Sequence, residues 1–265
     1  MGRLGERFAA LRARGERALI PFVTAGDPDL GVTEALIPAL VEAGADAVEI
    51  GVPFSDPLAE GPTIQRASER ALRSGTSLRR VLQLVGALRS RVDVPLVLMG
   101  YANPFFSMGE EAFAKAARAA GVDGLIVVDL PPEEGESLFA VARREGIDPI
   151  LLAAPTTTPE RLAMLAARTR GFLYYVSLTG VTGARAELSR GIEDAIRGVR
   201  TASDVPVCVG FGVSTPEHAA RIAEFADGVV VGSALIDRLE AAPTAADAVE
   251  RAAAFVASLK APLRR

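Results

Sequence analysis

Short apolar segments alternate with amphipathic ones along the whole chain. Eight runs rich in β-branched residues are each followed by a segment with helical periodicity. Most of these runs are apolar at nearly every position, which is typical of parallel strands that are covered on both faces. The predicted strands are Ala18–Val23, Ala47–Gly51, Pro95–Gly100, Gly124–Val128, Pro149–Ala153, Phe172–Val176, Pro206–Val209 and Gly228–Val231.

Capping residues mark the ends of the predicted helices. Thr158 and Thr215 each precede a proline and an acidic residue, a pattern typical of a helix N-terminus. Gly44, Gly121 and Gly146 each follow a helical segment and precede a strand, which predicts left-handed C-terminal caps. The same cap at three helix ends indicates one architecture throughout.

Eight strand–helix units in 265 residues predict an α/β fold of the (β/α)8 TIM-barrel type. The alternative is a doubly wound open sheet, but such sheets more often have fewer strands. Their Gly-x-Gly-x-x-Gly fingerprint is also missing after the first strand. We expect a single domain over residues 1–265, with an extra amphipathic helix at Leu4–Arg14 that caps the barrel bottom.

The bulk composition is that of a globular protein. With 49% hydrophobic residues the chain can bury a core without disulfides, and Cys208 is its only cysteine. A net charge of −4 gives no indication of a nucleic-acid partner. We find no signal-peptide core and no apolar run long enough to span a membrane. These features predict a cytoplasmic enzyme.

Two residue types are too rare for two kinds of chemistry. Lys115, in a predicted helix, and Lys260, in the tail, are the only lysines, so neither lies at a strand end where a Schiff base would form. His218 is the only histidine and falls in the first turn of a helix, so a catalytic metal lacks its usual ligands. We therefore expect neither a metal nor a cofactor, and acid–base chemistry by carboxylates.

One charged residue, Glu49, interrupts an apolar strand. Side-chain alternation places Ala47 and Glu49 on one side of this strand, and Val48 and Ile50 on the side of the helices. Glu49 would then point into the barrel mouth, where burial raises the pKa of an unpaired carboxyl group and suits it to acid–base work near neutrality. A structural ion pair is the alternative, although the neighbouring strands carry no lysine or arginine.

Long loops follow the second and third predicted strands. Residues 52–62 carry two further carboxylates, Asp56 and Glu60, among three prolines. The apolar residues of this loop, together with Pro104-Phe105-Phe106 in the next, predict an exposed hydrophobic patch on the active face. Such a patch suits a protein partner or a substrate lid, unless the two loops pack on each other.

Glycine clusters follow the last three predicted strands, at residues 180–183, 210–212 and 232–234. Glycine lets backbone N–H groups approach an anion, and a helix beginning at Ser233 would add its positive end. Tight turns explain any single cluster equally well. Three clusters at successive strand ends predict phosphate binding, which barrels commonly place after strands seven and eight.

Together these motifs resemble the α subunit of tryptophan synthase over nearly the whole chain. The stretches that carry the resemblance are Pro21–Pro28, Glu49–Leu58, Gly61–Gln65, Met99–Pro104 and Ser177–Gly183. The resemblance implies a retro-aldol cleavage of indole-3-glycerol phosphate to indole and glyceraldehyde 3-phosphate, without a cofactor in this subunit. It further implies an assembly of two α and two β subunits. Indole passes to the β subunit, which holds pyridoxal phosphate.

The resemblance also implies roles for individual residues. Glu49 matches the principal acid–base residue, and Glu60 stands where the family has a catalytic Asp, with a side chain one methylene longer. The implied substrate contacts are Phe22, Tyr101, Asp129, Tyr174, Thr182 and Phe211. The implied phosphate site is Gly183, Gly212, Gly232 and Ser233. The implied interface with the β subunit is Asp56, Pro53, Phe54, Pro57, Pro104 and Phe105.

Two other functions stay open at this point. One is another phosphate-binding barrel enzyme, such as an isomerase or a ring-closing indole-glycerol-phosphate synthase. The latter needs a catalytic lysine at a strand end, which this chain lacks. The other is a catalytically idle scaffold that binds and activates a partner enzyme, which the change to Glu60 keeps open. Activity of the isolated chain separates this second function from catalysis.

Overall fold

Helices and strands alternate in the computed structural model, which describes residues 2–176, 193–200, 203–210 and 212–264. The strands are β1 (Ala18–Thr24), β2 (Val48–Gly51), β3 (Leu96–Gly100), β4 (Gly124–Val127), β5 (Asp148–Pro149), β6 (Leu152–Ala153), β7 (Leu173–Val176), β8 (Val207–Gly210) and β9 (Gly228–Val231). The helices are α1 (Arg3–Ala13), α2 (Leu30–Glu42), α3 (Pro62–Arg73), α4 (Leu78–Leu88), α5 (Ala102–Met108), α6 (Glu110–Ala120), α7 (Glu136–Arg144), α8 (Pro159–Arg168), α9 (193–200), α10 (Pro216–Ala223), α11 (Ser233–Glu240) and α12 (Ala245–Lys260).

The strands form one parallel sheet that closes on itself through the fifth predicted strand. Their order is β5-β4-β3-β2-β1-β9-β8-β7-β6. β5 and β6 are the two halves of the predicted Pro149–Ala153 strand, and they pair with β4 and β7 respectively. Between them the Ile150 N–H donates to the Leu125 carbonyl at 2.9 Å, and the Tyr174 N–H donates to the Leu151 carbonyl at 3.0 Å. The predicted (β/α)8 barrel is therefore confirmed, with one strand that changes partners midway.

The predicted helix caps are also confirmed. The side chains of Thr158 and Thr215 accept hydrogen bonds from backbone N–H groups in the first turns of α8 and α10. Gly44, Gly121 and Gly146 have φ values of 110°, 87° and 76°. Residues with a side chain rarely adopt these left-handed backbone angles, so glycine is the residue that ends a helix there at low cost.

Alternation along the strands divides the core into two layers. Outward-facing residues such as Val48 and Ile50 pack against the helices. Inward-facing residues such as Ala47 fill the barrel interior, where they meet Leu4 and Phe8 of α1. The predicted extra helix therefore does close the bottom of the barrel, and the opposite end stays available for a site.

Three aspartates at the barrel bottom each tie one strand to its neighbour. Asp46, just before β2, accepts a hydrogen bond from the Leu19 N–H of β1 at 2.7 Å. Asp123 and Asp227 accept in the same way from the first residues of β3 and β8, at 2.9 and 3.0 Å. Lys260 pairs with Asp46 at 2.9 Å and is only 3% exposed. Lys260 is thus a buried cation at the bottom, which corrects its expected place in the tail.

Where the barrel closes, Thr169 provides a side-chain acceptor for a strand N–H group, as the aspartates do at the other strands. Its buried hydroxyl accepts from the Leu151 N–H at 3.0 Å. We expect Thr169→Val to lower the free energy of unfolding by about 1–3 kcal/mol, because the Leu151 N–H loses its acceptor. Urea denaturation measures this change. The exposed Thr156→Val control should stay within about 0.5 kcal/mol of the parent chain. Equal midpoints for the two variants would contradict the closure role.

Candidate active site

Glu49 lies inside the barrel, in the middle of β2. Its neighbours in the sheet are Phe22 of β1 and Val97 of β3. The side chain is fully buried, and neither carboxyl oxygen has a hydrogen-bond partner in the described part of the chain. Burial in this apolar interior raises the pKa of Glu49 to about 8. The ion-pair alternative therefore fails, and the carboxyl group holds its proton at neutral pH.

Tyr174 of β7 shares this interior. It packs among the inward-facing residues, whereas Tyr175 packs in the outer layer against the helices, as alternation predicts. Burial raises the pKa of Tyr174 well above its ordinary value, and Glu49 and Cys208 would raise it further if they ionised. Gly210 of β8 lies directly against the Tyr174 ring, and a methyl group there would collide with it. Glycine at this position therefore leaves room for the tyrosine.

A second carboxyl group, Glu60, lies above the barrel mouth in the β2–α3 loop. The Tyr101 hydroxyl donates a short hydrogen bond to Glu60 and accepts from the Ala59 N–H at 2.9 Å. Burial raises the pKa of Glu60, the Tyr101 hydrogen bond opposes this, and the nearby charge of Asp129 adds to it. Asp129 itself accepts from the Ala102 N–H at 2.8 Å, at the start of α5. The loops after β2, β3 and β4 thus converge on Glu60.

Glu60 and Tyr101 border a small cleft at the mouth of the barrel. Phe22, Met99 and Ile64 form much of its apolar lining. The sequence pattern did not single out Thr24, whose buried hydroxyl lines the cleft and has no hydrogen-bond partner among the described residues. Side-chain alternation predicts this position, because Thr24 lies two residues after Phe22 and therefore on the same face of β1.

The expected anion-binding helix end lies at the same mouth. α11 begins at Ser233, as predicted, with Gly232 as its N-cap. Ser233 is exposed, and Gly232 lies close to the Phe22 ring. Gly212 is exposed after β8, with a φ of 42°. Three further expected site residues lie outside the described ranges: Thr182, Gly183 and Phe211.

The two long loops pack on each other and still expose apolar side chains. The Phe54 ring stacks on Tyr101 with centroids 4.9 Å apart. Leu58 and Phe106 remain 90% and 43% exposed. Both alternatives drawn from the sequence, mutual packing and an exposed patch, are therefore realised together. Asp56 is exposed in the same loop, and Pro57 and Pro104 are half-buried.

Two residues expected at a partner interface are not available at the surface. Phe105 is completely buried and packs on Phe113 with ring centroids 4.5 Å apart. Pro53 is buried as well. In the chain by itself α5 turns Phe105 inward and presents Phe106 at the surface in its place, so the expected interface role of Phe105 and Pro53 stays a prediction.

Other kinds of site find little support in the described part of the chain. No group of three or more His, Cys, Asp or Glu side chains there has a metal-binding arrangement. None of the described helices is long and apolar enough to cross a bilayer. A larger and more open groove runs beside Arg143 and Arg168 on the outer surface. It lies among the helices, away from the strand ends where barrel enzymes place their chemistry.

An uncharged carboxyl group inside the mouth, with a second carboxyl group at its rim, is an arrangement suited to a (β/α)8-barrel enzyme that moves protons with carboxylates. Residues 8–264 match the family model described as "Tryptophan synthase alpha chain". The chain belongs to this family of lyases, whose reaction is the cleavage of indole-3-glycerol phosphate to indole and glyceraldehyde 3-phosphate.

Individual relatives agree with this family over their full length. The tryptophan synthase alpha chain of Geobacter sulfurreducens is 53% identical over 260 residues, which cover 98% of each chain. The crystal structure of tryptophan synthase subunit alpha from Legionella pneumophila is similar with a TM-score of 0.91 and 41% identity, covering 99% of this chain and 98% of that one. A ligand-free tryptophan synthase structure from M. tuberculosis gives 0.90 and 40%, with both chains covered completely.

Proposed function

We propose that Glu49 performs both proton transfers of the cleavage. As an acid it donates its proton to C3 of the indole ring, which weakens the bond between C3 and the glycerol side chain. As a carboxylate it then removes the proton from the adjacent glycerol hydroxyl. The carbonyl of glyceraldehyde 3-phosphate forms as the carbon–carbon bond breaks, and the electron pair returns to the ring. The raised pKa of the isolated Glu49 carboxyl carries this proposal, since the group starts protonated at neutral pH.

Glu60 is the second catalytic residue of the proposal. Its carboxylate accepts a hydrogen bond from the indole N–H, which becomes more acidic when C3 is protonated, so the contact strengthens in the transition state. The position of Glu60 at the rim of the cleft supports this role, as does its hydrogen bond from Tyr101. The longer side chain retains the charge of the family's Asp, so the idle-scaffold alternative gains nothing from this change.

The proposed substrate lies with its indole ring in the cleft and its phosphate at α11. Phe22 and Tyr174 supply apolar walls. The family resemblance implies a further contact from Phe211. The phosphate receives N–H groups from Gly232 and Ser233 at the helix N-terminus, where unpaired donors and the helix dipole favour an anion. The remaining proposed contacts, from the family resemblance, are Asp129, Thr182, Gly183 and Gly212.

We also propose that the chain forms one barrel domain in the cytoplasm and assembles with a β subunit in an α2β2 complex. The exposed loop residues Asp56, Leu58 and Phe106, with the half-buried Phe54, Pro57 and Pro104, form the contact surface. The surface adjoins the cleft, so indole can leave toward the partner, which holds the pyridoxal phosphate. Packing of α12 against α2 and β1 supports a single domain. The free, buried thiol of Cys208 suits a reducing compartment.

The pH dependence of kcat/KM tests the proposed state of Glu49. The free enzyme must carry a protonated Glu49, so kcat/KM should fall as the pH rises through about 8. Initial rates of indole formation between pH 6 and 10 measure this limb. The Glu60→Asp variant serves as a control and should keep the same limb. A kcat/KM that rises through this range would mean that Glu49 acts first as a base, contrary to the proposal.

A further inference from the structure

Side chains of α3 and α11 form a ladder of polar contacts across the outside of the two helices. The Thr63 hydroxyl donates to Asp237 at 3.0 Å. Arg66 and Arg70 both donate to the carboxylate of Glu240, at 2.9 and 2.8 Å. The three α3 residues are spaced by three and four positions, so they lie on one face of the helix. We call this set of contacts the α3–α11 clamp.

Arg70 extends the clamp to the loop after β1. Its Nε and Nη2 atoms donate to the two carboxylate oxygens of Asp27, at 2.6 and 2.9 Å. Asp27 is 3% exposed, and Arg70 is its only side-chain partner within the described ranges. A bidentate guanidinium fixes both distance and orientation, which a single ammonium contact does not. Arg70 is therefore the point where three elements are held together.

Each of the three elements carries part of the proposed site. α3 begins directly after Glu60, and Gln65 in its first turn donates to the Glu60 carbonyl at 2.9 Å. α11 begins at Gly232 and Ser233, the proposed phosphate contacts. The loop that holds Asp27 follows Phe22 and Thr24, which line the cleft.

From this arrangement we infer that Arg70 is a positioning residue, which sets the distance between the Glu60 carboxylate and the phosphate-binding end of α11. The inference rests on the proposed roles of Glu60 and of α11. Arg70 touches no part of the substrate site itself and acts through the two helices and the Asp27 loop. When the phosphate is bound at α11, the indole N–H reaches the Glu60 carboxylate only if this spacing is kept. The reaction rate is sensitive to shifts of about 1 Å in such a contact.

Replacement of Arg70 should separate binding from catalysis. In Arg70→Met both Glu60 and the start of α11 stay locally intact, but their spacing is released. We expect kcat to fall about tenfold or more. Affinity for glycerol 3-phosphate, which reports on the phosphate end alone, should stay within about twofold. Arg70→Lys should recover part of kcat, because one ammonium group can satisfy either Asp27 or Glu240 but not both in the same geometry.

The matched control is Arg73→Met on the same helix. Arg73 is exposed, and its one ion pair within the described ranges is with Glu69 one turn away, at 3.3 Å. This variant should keep kcat and KM within about twofold, since an exposed i,i+4 pair contributes little. Glu240→Ala provides a second probe, because it opens the link to α11 and leaves the buried Arg70–Asp27 pair in place. Glu240→Ala should also lower kcat, so the inference can still be tested if Arg70→Met folds poorly.

The decisive experiment measures kcat, KM and glycerol 3-phosphate affinity for these full-length variants, on protein shown to be folded by circular dichroism. The inference is supported if Arg70→Met or Glu240→Ala lowers kcat and retains glycerol 3-phosphate affinity, while Arg73→Met leaves kcat unchanged. Unchanged kcat in both, or kcat and phosphate affinity lost in proportion, overturns it. Glu49→Gln is measured beside them: activity in that variant refutes the proposed catalysis, whereas inactivity with unaffected clamp variants refutes only the clamp.

Discussion

Glu49→Gln is expected to lower kcat for indole release by about 10³-fold while substrate affinity changes little. The amide keeps the volume of the side chain inside the barrel but can neither give a proton to C3 nor remove one from the glycerol hydroxyl. The substrate is anchored by its phosphate and by the apolar cleft, and both are left in place by the substitution. Single-turnover kinetics and calorimetric binding of indole-3-glycerol phosphate measure the two quantities separately. Turnover comparable to that of the parent chain would refute the acid–base assignment.

The same variant should also be more stable than the parent chain at alkaline pH. The pKa of Glu49 lies near 8 in the folded state, above its ordinary value of 4.5, so folding becomes less favourable as the pH rises from 4.5 to 8. Below pH 4.5 both states are protonated and this difference disappears. We expect Glu49→Gln to melt several degrees higher at pH 9 and to match the parent at pH 4. Higher melting of the parent at pH 9 would mean that Glu49 has a stabilising partner.

Glu60→Asn should lower kcat about 10²-fold, the second largest effect that we expect. The amide cannot supply the negative charge that stabilises the protonated indole ring in the transition state. Glu60→Asp should stay within about fivefold of the parent, because the charge is kept and the family uses the shorter side chain. Steady-state kinetics of the two variants under identical conditions gives the comparison.

Tyr101→Phe is the control that isolates the contribution of the Glu60 charge. This variant removes the hydrogen bond to Glu60 and to the Ala59 N–H but leaves the carboxylate in the cleft. We expect a smaller loss of kcat than in Glu60→Asn. If Glu60→Asn retained the parent kcat, the role of the second carboxylate would be wrong, whatever the effect at Tyr101.

Local patterns in the sequence were sufficient for much of the barrel and for its central residue. Hydrophobic runs located the strands, and side-chain alternation correctly turned Glu49 inward and Val48 and Ile50 outward. These inferences succeed because a parallel strand in a barrel has only two faces, so one residue determines the orientation of its neighbours. The split of the fifth strand into β5 and β6 did not follow, since it depends on which neighbours each half meets.

Contacts between distant residues were beyond such reasoning. Arg70 meets Asp27 and Glu240 across 43 and 170 positions of sequence, and neither separation leaves a local signal. Lys260 looked like a tail residue until α12 placed it beside Asp46. The sequence also did not show which of the two rings in the short helix α5, Phe105 or Phe106, faces the core. Over so few residues, periodicity does not show which ring faces the core.

The most direct test of the account is indole release from indole-3-glycerol phosphate by the purified chain, measured beside Glu49→Gln, with and without the β subunit. We predict slow release by the chain alone, faster release with the partner, and none above background in the variant under either condition. Substrate binding without release by the parent chain, even in the presence of the partner, would contradict the account. In that case Glu60, which stands where the family resemblance implies an Asp, would be the first residue to replace with Asp.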